Sequence, residues 1–158
     1  MNKFKTEIKW GVIFVLATLL WNLLERLLGF HSDKIDQHQT VTTFFMIPAI
    51  VIYVLALRDK RNNDLGGKMT YKQGLITGLI VTLVVTILTP LSQYMAVEVI
   101  SPDYFSNIIE HSVATGEQTL EEAQAFFNLQ SYMVQSIIFA PIAGILTTLI
   151  VALFMRKS

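Results

Sequence analysis

The chain contains no cysteine, which excludes a disulfide framework, a thiolate metal site and a cysteine nucleophile at once. It is short of charge: 15% of its 158 residues are Asp, Glu, Lys or Arg, where a soluble domain usually carries about a quarter. Neither sign is in excess, with twelve basic and twelve acidic residues, so the basic footprint that a nucleic-acid binder needs to neutralise phosphates is missing. A phosphate-binding loop is missing too. Gly66, Gly67 and Lys68 suggest one, but Met69 stands where the hydroxyl residue is required and no strand precedes it. Residues 62–67 read instead as a turn.

What remains is oily, with 53% hydrophobic residues. A bilayer core of about 30 Å takes roughly 20 apolar residues as a helix, because only a helix or a closed barrel satisfies its own backbone in lipid. Residues 74–97 and 131–155 hold no charge, residues 40–57 hold none either, and residues 10–28 hold only Glu25 and Arg26 near their end. The expected fold is therefore all-α, a four-helix transmembrane bundle in a single integral membrane domain over residues 1–158. Ten of the twelve basic residues lie on one side of these spans: Lys3, Lys5, Lys9, Arg58, Lys60, Arg61, Lys68, Lys72, Arg156 and Lys157. The opposite connections carry Asp33, Asp36, Asp103, Glu110, Glu117, Glu121 and Glu122. The positive-inside rule then puts both termini and the middle loop in the cytoplasm of a bacterial inner membrane. Trp10, Tyr53, Tyr71, Tyr94 and Tyr132 fall near span ends, as interfacial aromatics do, with Trp21 deeper. The first span follows a basic start but has no small-residue cleavage site after it, so it reads as an uncleaved signal anchor.

In "GLITGLIVTLVVTILTP" a small or helix-bending residue recurs at every fourth position, Gly74, Gly78, Thr82, Thr86 and Pro90. Such positions share one helix face. The last span answers with Ser136, Ala140, Gly144, Thr148 and Ala152. Helices in lipid gain little hydrophobic free energy by meeting, so close backbone packing holds them. Two complementary rows in one chain predict an intramolecular contact between spans three and four; a homo-oligomeric face is the alternative. Pro48, Pro90 and Pro141 each remove a helical hydrogen bond and invite a bend near the middle or outer half of a span.

Polar side chains gather toward the outer ends of the spans. Asn22, Glu25, Arg26, Gln93 and Gln135 outline a candidate hydrated cleft, with Glu25 foremost because an ionisable residue within a span is a functional candidate. The plainer expectation has Glu25 and Arg26 at the membrane interface, solvated or paired. The first outer loop offers His31, Asp33, Asp36 and His38, residue types a divalent ion accepts; their spacing matches no established site, so solvated loop residues and no bound cofactor are expected. His111 beside Glu110 is the remaining histidine. No base or oxyanion donor for a serine nucleophile can be placed from sequence.

The long outer loop, 101–130, predicts an additional amphipathic helix. Ser101 suits the cap, Pro102 the first turn and Gly116 the stop, with Tyr104, Phe105, Ile108 and Ile109 on one side and Asp103, Asn107, Glu110 and His111 on the other. Thr119 and Glu122 form a capping-box pattern, opening a helix expected to run straight into the fourth span for about 36 residues, several turns longer than a bilayer is thick.

The order of "KMTYKQGLITG", "ISPDYFSNIIEH", "LEEAQAFF" and "GILTTLIVALFMRK" resembles the bacterial domain of unknown function 4199 family, over essentially the whole chain. That resemblance implies four spans and transfers no activity, substrate or site residue. The functional expectation is a non-enzymatic accessory or assembly component that presents its acidic outer loop to a membrane-protein partner. The alternative is a small transporter or ligand-binding bundle using the polar cleft. The two differ in where they put Glu25: at the interface for the first, deep among polar groups for the second.

Overall fold

The computed structural model describes residues 4–157; Lys3, among the basic residues above, lies outside them. Among these residues seven α-helices follow one another, α1 (Lys5–Leu27), α2 (His38–Thr43), α3 (Met46–Asp59), α4 (Tyr71–Tyr94), α5 (Tyr104–Ala114), α6 (Leu120–Phe126) and α7 (Leu129–Met155). Among the described residues there is no strand, and the one β-type pairing is an isolated antiparallel bridge between Met69 and Lys157. Four segments are long and apolar enough to cross a membrane: Lys5–Leu27, Ile35–Asp64, Tyr71–Ile100 and Leu129–Met155. The chain is a multi-pass membrane protein built as an all-α bundle. Its outward faces carry large apolar side chains such as Leu27, Ile87, Phe139 and Phe154, a surface suited to lipid and costly in water.

The second and third spans run longer than the apolar stretches alone suggest, because a π-helical turn, Lys60–Asp64, continues α3 and another, Met95–Ile100, continues α4. Pro48 acts differently from the mid-span bend expected of it. It sits in the first turn of α3, where its missing N–H is no loss, and the helix break falls just before it, at Phe44 and Phe45. The carbonyl of Phe44, which Pro48 cannot serve, accepts instead from the Ile47 N–H at 3.1 Å. Pro90 and Pro141 do lie inside α4 and α7. At its start α4 is closed by a capping box between Thr70 and Gln73.

The largest interhelical contact joins α4 to α7, and the two small-residue rows make it. Gly74 faces Ala152, Gly78 faces Thr148, and Gly144 faces Thr82: each step of four along one row is a step of four back along the other, as antiparallel neighbours require. The intramolecular contact expected from the rows is thus present. The core beside it is formed by Tyr53, Leu57, Met69, Val81 and Val85. Tyr53, expected at an interface, is 3% exposed, and its hydroxyl shares a hydrogen bond of 2.8 Å with Thr82. Packing against the thin row of α4 draws it inward.

The bundle has two ends. At the terminal end, Asp59 of α3 accepts from Trp10 at 2.7 Å and pairs with Lys9. Beside it Lys60 pairs with the buried Glu7 at 3.0 Å and with Asp64 at 2.9 Å. At the other end α5 and α6 form a lid. Gly116 ends α5 with φ +74, a conformation that favours glycine, and the capping box of Thr119 and Glu122 opens α6. Two expectations fail here. Ser101 caps nothing, since α5 begins after Asp103 without a side-chain cap, and the Ser101 hydroxyl is used elsewhere. Nor does α6 continue into the last span: the chain leaves helical geometry at Phe127 and Asn128, and Asn128 caps α7 anew by accepting from the Ser131 N–H at 2.9 Å. An Asn whose side chain can replace a backbone partner favours such a break.

Candidate functional site

The only acid near the lid-end of α1, Glu25, lies one helical turn beyond Trp21, and α1 stops two residues after it. The chain then turns through Gly29, whose φ of +85 reverses its direction, and brings His31 back beneath the lid. A short 3₁₀ turn, Ile35–Gln37, leads into α2, which places His38 and Thr42 on one face because they are four apart. From the other side, Ser101 and Tyr104 arrive through the turn between α4 and α5. Three separate segments therefore converge on Glu25.

Glu25 is 2% exposed: of the solvated or paired carboxylate expected, the solvated form is corrected and the paired one is found. A buried carboxylate is costly unless its lone pairs are satisfied, and here the two oxygens are satisfied differently. Oε1 accepts from Trp21 Nε1 at 2.8 Å and from Thr42 Oγ1 at 2.6 Å. Oε2 faces two imidazoles, His31 Nε2 at 3.3 Å and His38 Nε2 at 3.6 Å. His31 is 5% exposed, so the solvated loop expected for the histidines is also corrected; Asp33 and Asp36 from the same loop remain exposed.

Each imidazole is held again through its other nitrogen. His31 Nδ1 lies 2.6 Å from Ser101 Oγ, and His38 Nδ1 lies 3.4 Å from the Tyr104 hydroxyl. That hydroxyl in turn meets Tyr132 of α7 at 3.0 Å. The rings of His31, His38 and Tyr104 pack edge to face or tilted with centroids 4.9–5.2 Å apart. Burial, with the neighbouring Tyr132, pushes the Tyr104 phenol well above its usual range, so it remains a neutral O–H. Asn107 of α5 fixes the lid by donating to the His31 carbonyl at 2.9 Å. The centre is closed on the lid side and open at one edge, where Thr42 is exposed and His38 is half-buried.

The other cleft residues are not gathered here. Asn22 donates back to the Thr18 carbonyl of its own helix at 2.9 Å. Arg26 is exposed and donates to the Ile100 carbonyl. Gln93 bonds Ser136 across α4 and α7 at 2.7 Å, and Gln135 is half-buried on α7. The expected cleft thus reduces to Glu25 with partners that sequence reasoning did not join to it, chiefly His31, His38 and Tyr104. A faint signal existed: Trp21 with Glu25, and His38 with Thr42, each repeat at four.

The order Ser101, His31, Glu25 has the connectivity of a nucleophile, a base and a carboxylate, so the structure does position an imidazole against a serine. Three features oppose hydrolytic use. Ser101 is 4% exposed, its N–H is committed to the Ala96 carbonyl, and two surface grooves of the lid, around Ile109 and Leu120 and around Asp33 and His111, do not include it. A tetrahedral intermediate needs room and oxyanion donors at the nucleophile. What the arrangement offers instead is one carboxylate oxygen and two imidazole nitrogens within 4.8 Å of one another.

No curated protein and no solved structure matches this chain. A family model described as a protein of unknown function (DUF4199) matches residues 9–157, from the first span through the last helix, and the chain belongs to that family.

Proposed function

We propose that this protein is a non-enzymatic binding component of the cytoplasmic membrane that takes a small cation into the polar centre around Glu25 from the extracytoplasmic side. The observation that carries the reading is the burial of Glu25 among polar partners. Stability alone does not call for a carboxylate there, since replacing a whole buried paired set with apolar side chains of similar volume is often neutral or stabilising. Both termini are proposed to be cytoplasmic, because the described basic residues at the terminal end, Lys5, Lys9, Arg58, Lys60, Arg61, Lys68, Lys72, Arg156 and Lys157, outnumber those at the lid end, Arg26 and Lys34.

The absence of cysteine makes the test direct. A single cysteine at the exposed Ser32 should react with an impermeant maleimide in intact cells, and one at the exposed Asn62 only after permeabilisation; the reverse pattern overturns the orientation. A cysteine at Thr42, the open edge of the centre, should react faster with a cationic thiosulfonate than with an anionic one, and Glu25→Gln should erase that preference. Equal rates in the unsubstituted background, or no reaction, overturn the reading.

A second reading, an accessory subunit that docks a basic partner on the lid, is supported by the exposure of Asp103, Glu110, Glu117, Glu121 and Glu122. Among the described residues none of these pairs with a cation. Cross-linking in intact cells tests it: a partner whose capture is unaffected by reversing the charges of Glu121 and Glu122 counts against it.

A further inference from the structure

We infer that Glu25, His31 and His38 form a binding site for a single divalent transition-metal ion of the zinc class, which deepens the cation-site reading above by naming the ligand. The first argument is the identity and direction of the atoms. The two imidazoles present Nε2 to the same carboxylate oxygen, Oε2, and imidazole with carboxylate is a donor set that first-row divalent ions favour. A lone ion pair needs one histidine, whereas two converging on one oxygen describe three donors around a common point.

The second argument is distance. A tetrahedral ion with bonds of about 2.0–2.1 Å sets its donor atoms about 3.3 Å apart. Oε2 lies 3.3 Å from His31 Nε2 and 3.6 Å from His38 Nε2, and all three donors fall within 4.8 Å of one another. A shift of His38 by about an ångström completes the triangle. His38 is the donor best able to make it, being half-buried on the six-residue α2, while His31 and Glu25 are fixed by burial.

The third argument is the surrounding shell, which apolar packing does not require. Ligating histidines are oriented through their second nitrogen, and ligating carboxylates through their second oxygen. Here every second atom has a partner: Ser101 Oγ for His31, the Tyr104 hydroxyl for His38, and Trp21 with Thr42 for Oε1. The three donor atoms face each other, and among the described residues the one further contact they make, His38 Nε2 with Thr42 Oγ1 at 3.2 Å, is one the ion would replace. Three protein donors leave a tetrahedral ion one further position, and the exposed edge at Thr42 is where water or a ligand would reach it.

The test uses the full chain purified in detergent without a polyhistidine tag and stripped with a chelator. Calorimetric titration with zinc should show one ion per chain. Cobalt(II) should bind with the intense visible spectrum of a tetrahedral site and be displaced by zinc. His38→Ala and Glu25→Gln should weaken zinc at least 100-fold, Ser101→Ala by about 10-fold or more, and His111→Ala, in the separate groove with Ser32 and Asp33, should leave it unchanged. Because a core variant can fail to fold, zinc should also raise the thermal unfolding midpoint of the unsubstituted chain and of His111→Ala, but not of a folded His38→Ala. Absence of stoichiometric uptake, uptake unaffected by His38→Ala, or a weak octahedral cobalt spectrum overturns the inference. If the cysteine at Thr42 keeps its preference for cationic reagent while zinc fails to bind, the cation-site reading stands and only the metal assignment falls; if both fail, both fall.

Discussion

Replacing Gly78 with alanine probes whether close backbone approach holds α4 to α7. A Cβ at position 78 would lie 2.9 Å from Thr148 Cβ and nearer still to both of its γ atoms. Unstrained carbon contacts are about 3.5–4.0 Å, so the two helices would have to part locally by an ångström or so. Gly74 against Ala152 and Gly144 against Thr82 lie on the same rows, which resist that movement. Overpacking of this kind costs about 1–3 kcal/mol, and alanine returns about 0.5–1 kcal/mol of helix propensity over glycine. A net loss of about 1–2 kcal/mol follows. Thr148→Gly removes Cβ together with the γ atoms, so in that background Gly78→Ala should cost close to nothing. The coupling energy of the double-mutant cycle should be about 1–2 kcal/mol. The assay is reversible unfolding in mixed micelles titrated with SDS, read by tryptophan fluorescence, with light scattering for association state. Gly78→Leu should abolish folding outright. A Gly78→Leu chain that stays folded and loses only self-association would refute the intramolecular role of the rows. So would additive single and double variants.

Other outcomes follow from particular contacts. Thr148 Oγ1 is buried with no hydrogen-bond partner among the described residues, and an unmet hydroxyl costs about 1–3 kcal/mol; Thr148→Val, of similar shape, should be neutral or stabilising by about 1 kcal/mol in the same titration. Asn107→Ala removes the tie between α5 and the His31 carbonyl, so hydrogen exchange across α5 should quicken while α4 and α7 keep their protection. The Thr119 backbone N–H, and then its hydroxyl, hold the Glu122 carboxyl below its usual range. A depressed folded value means that the capping contribution is complete above the ordinary carboxylate pKa and is lost as pH falls through the lower, folded value. An NMR titration should find Glu122 titrating below the ordinary glutamate range, and Thr119→Ala, which keeps the backbone donor, should remove only the hydroxyl's part of that depression.

The spans, the antiparallel pairing of α4 with α7 and the capping box of α6 were legible because each depends on residues close in sequence or on a period. Gly74, Gly78 and Thr82 repeat at four; Thr119 and Glu122 stand three apart. Helical geometry turns such spacings directly into neighbours. The break at Asn128 was not legible, since helix propensity and apolar periodicity continue past it and one side-chain hydrogen bond decides the matter. Pro48 misled for a related reason: its effect depends on whether a helix starts just before it or runs through it.

By itself, the sequence determined that this chain enters lipid as four helices and which faces of the third and fourth meet, because hydropathy and helical period are properties of contiguous residues. Only the tertiary structure decided that Glu25, His31, His38 and Tyr104 share one buried centre. Seventy-nine positions separate Glu25 from Tyr104, and their meeting depends on a reversal at Gly29, the short α2 and a lid folded back by Asn107. No local period encodes a convergence of three connections. What stabilises it is the need of a carboxylate removed from water for hydrogen-bond partners, and those partners come from wherever the fold can supply them.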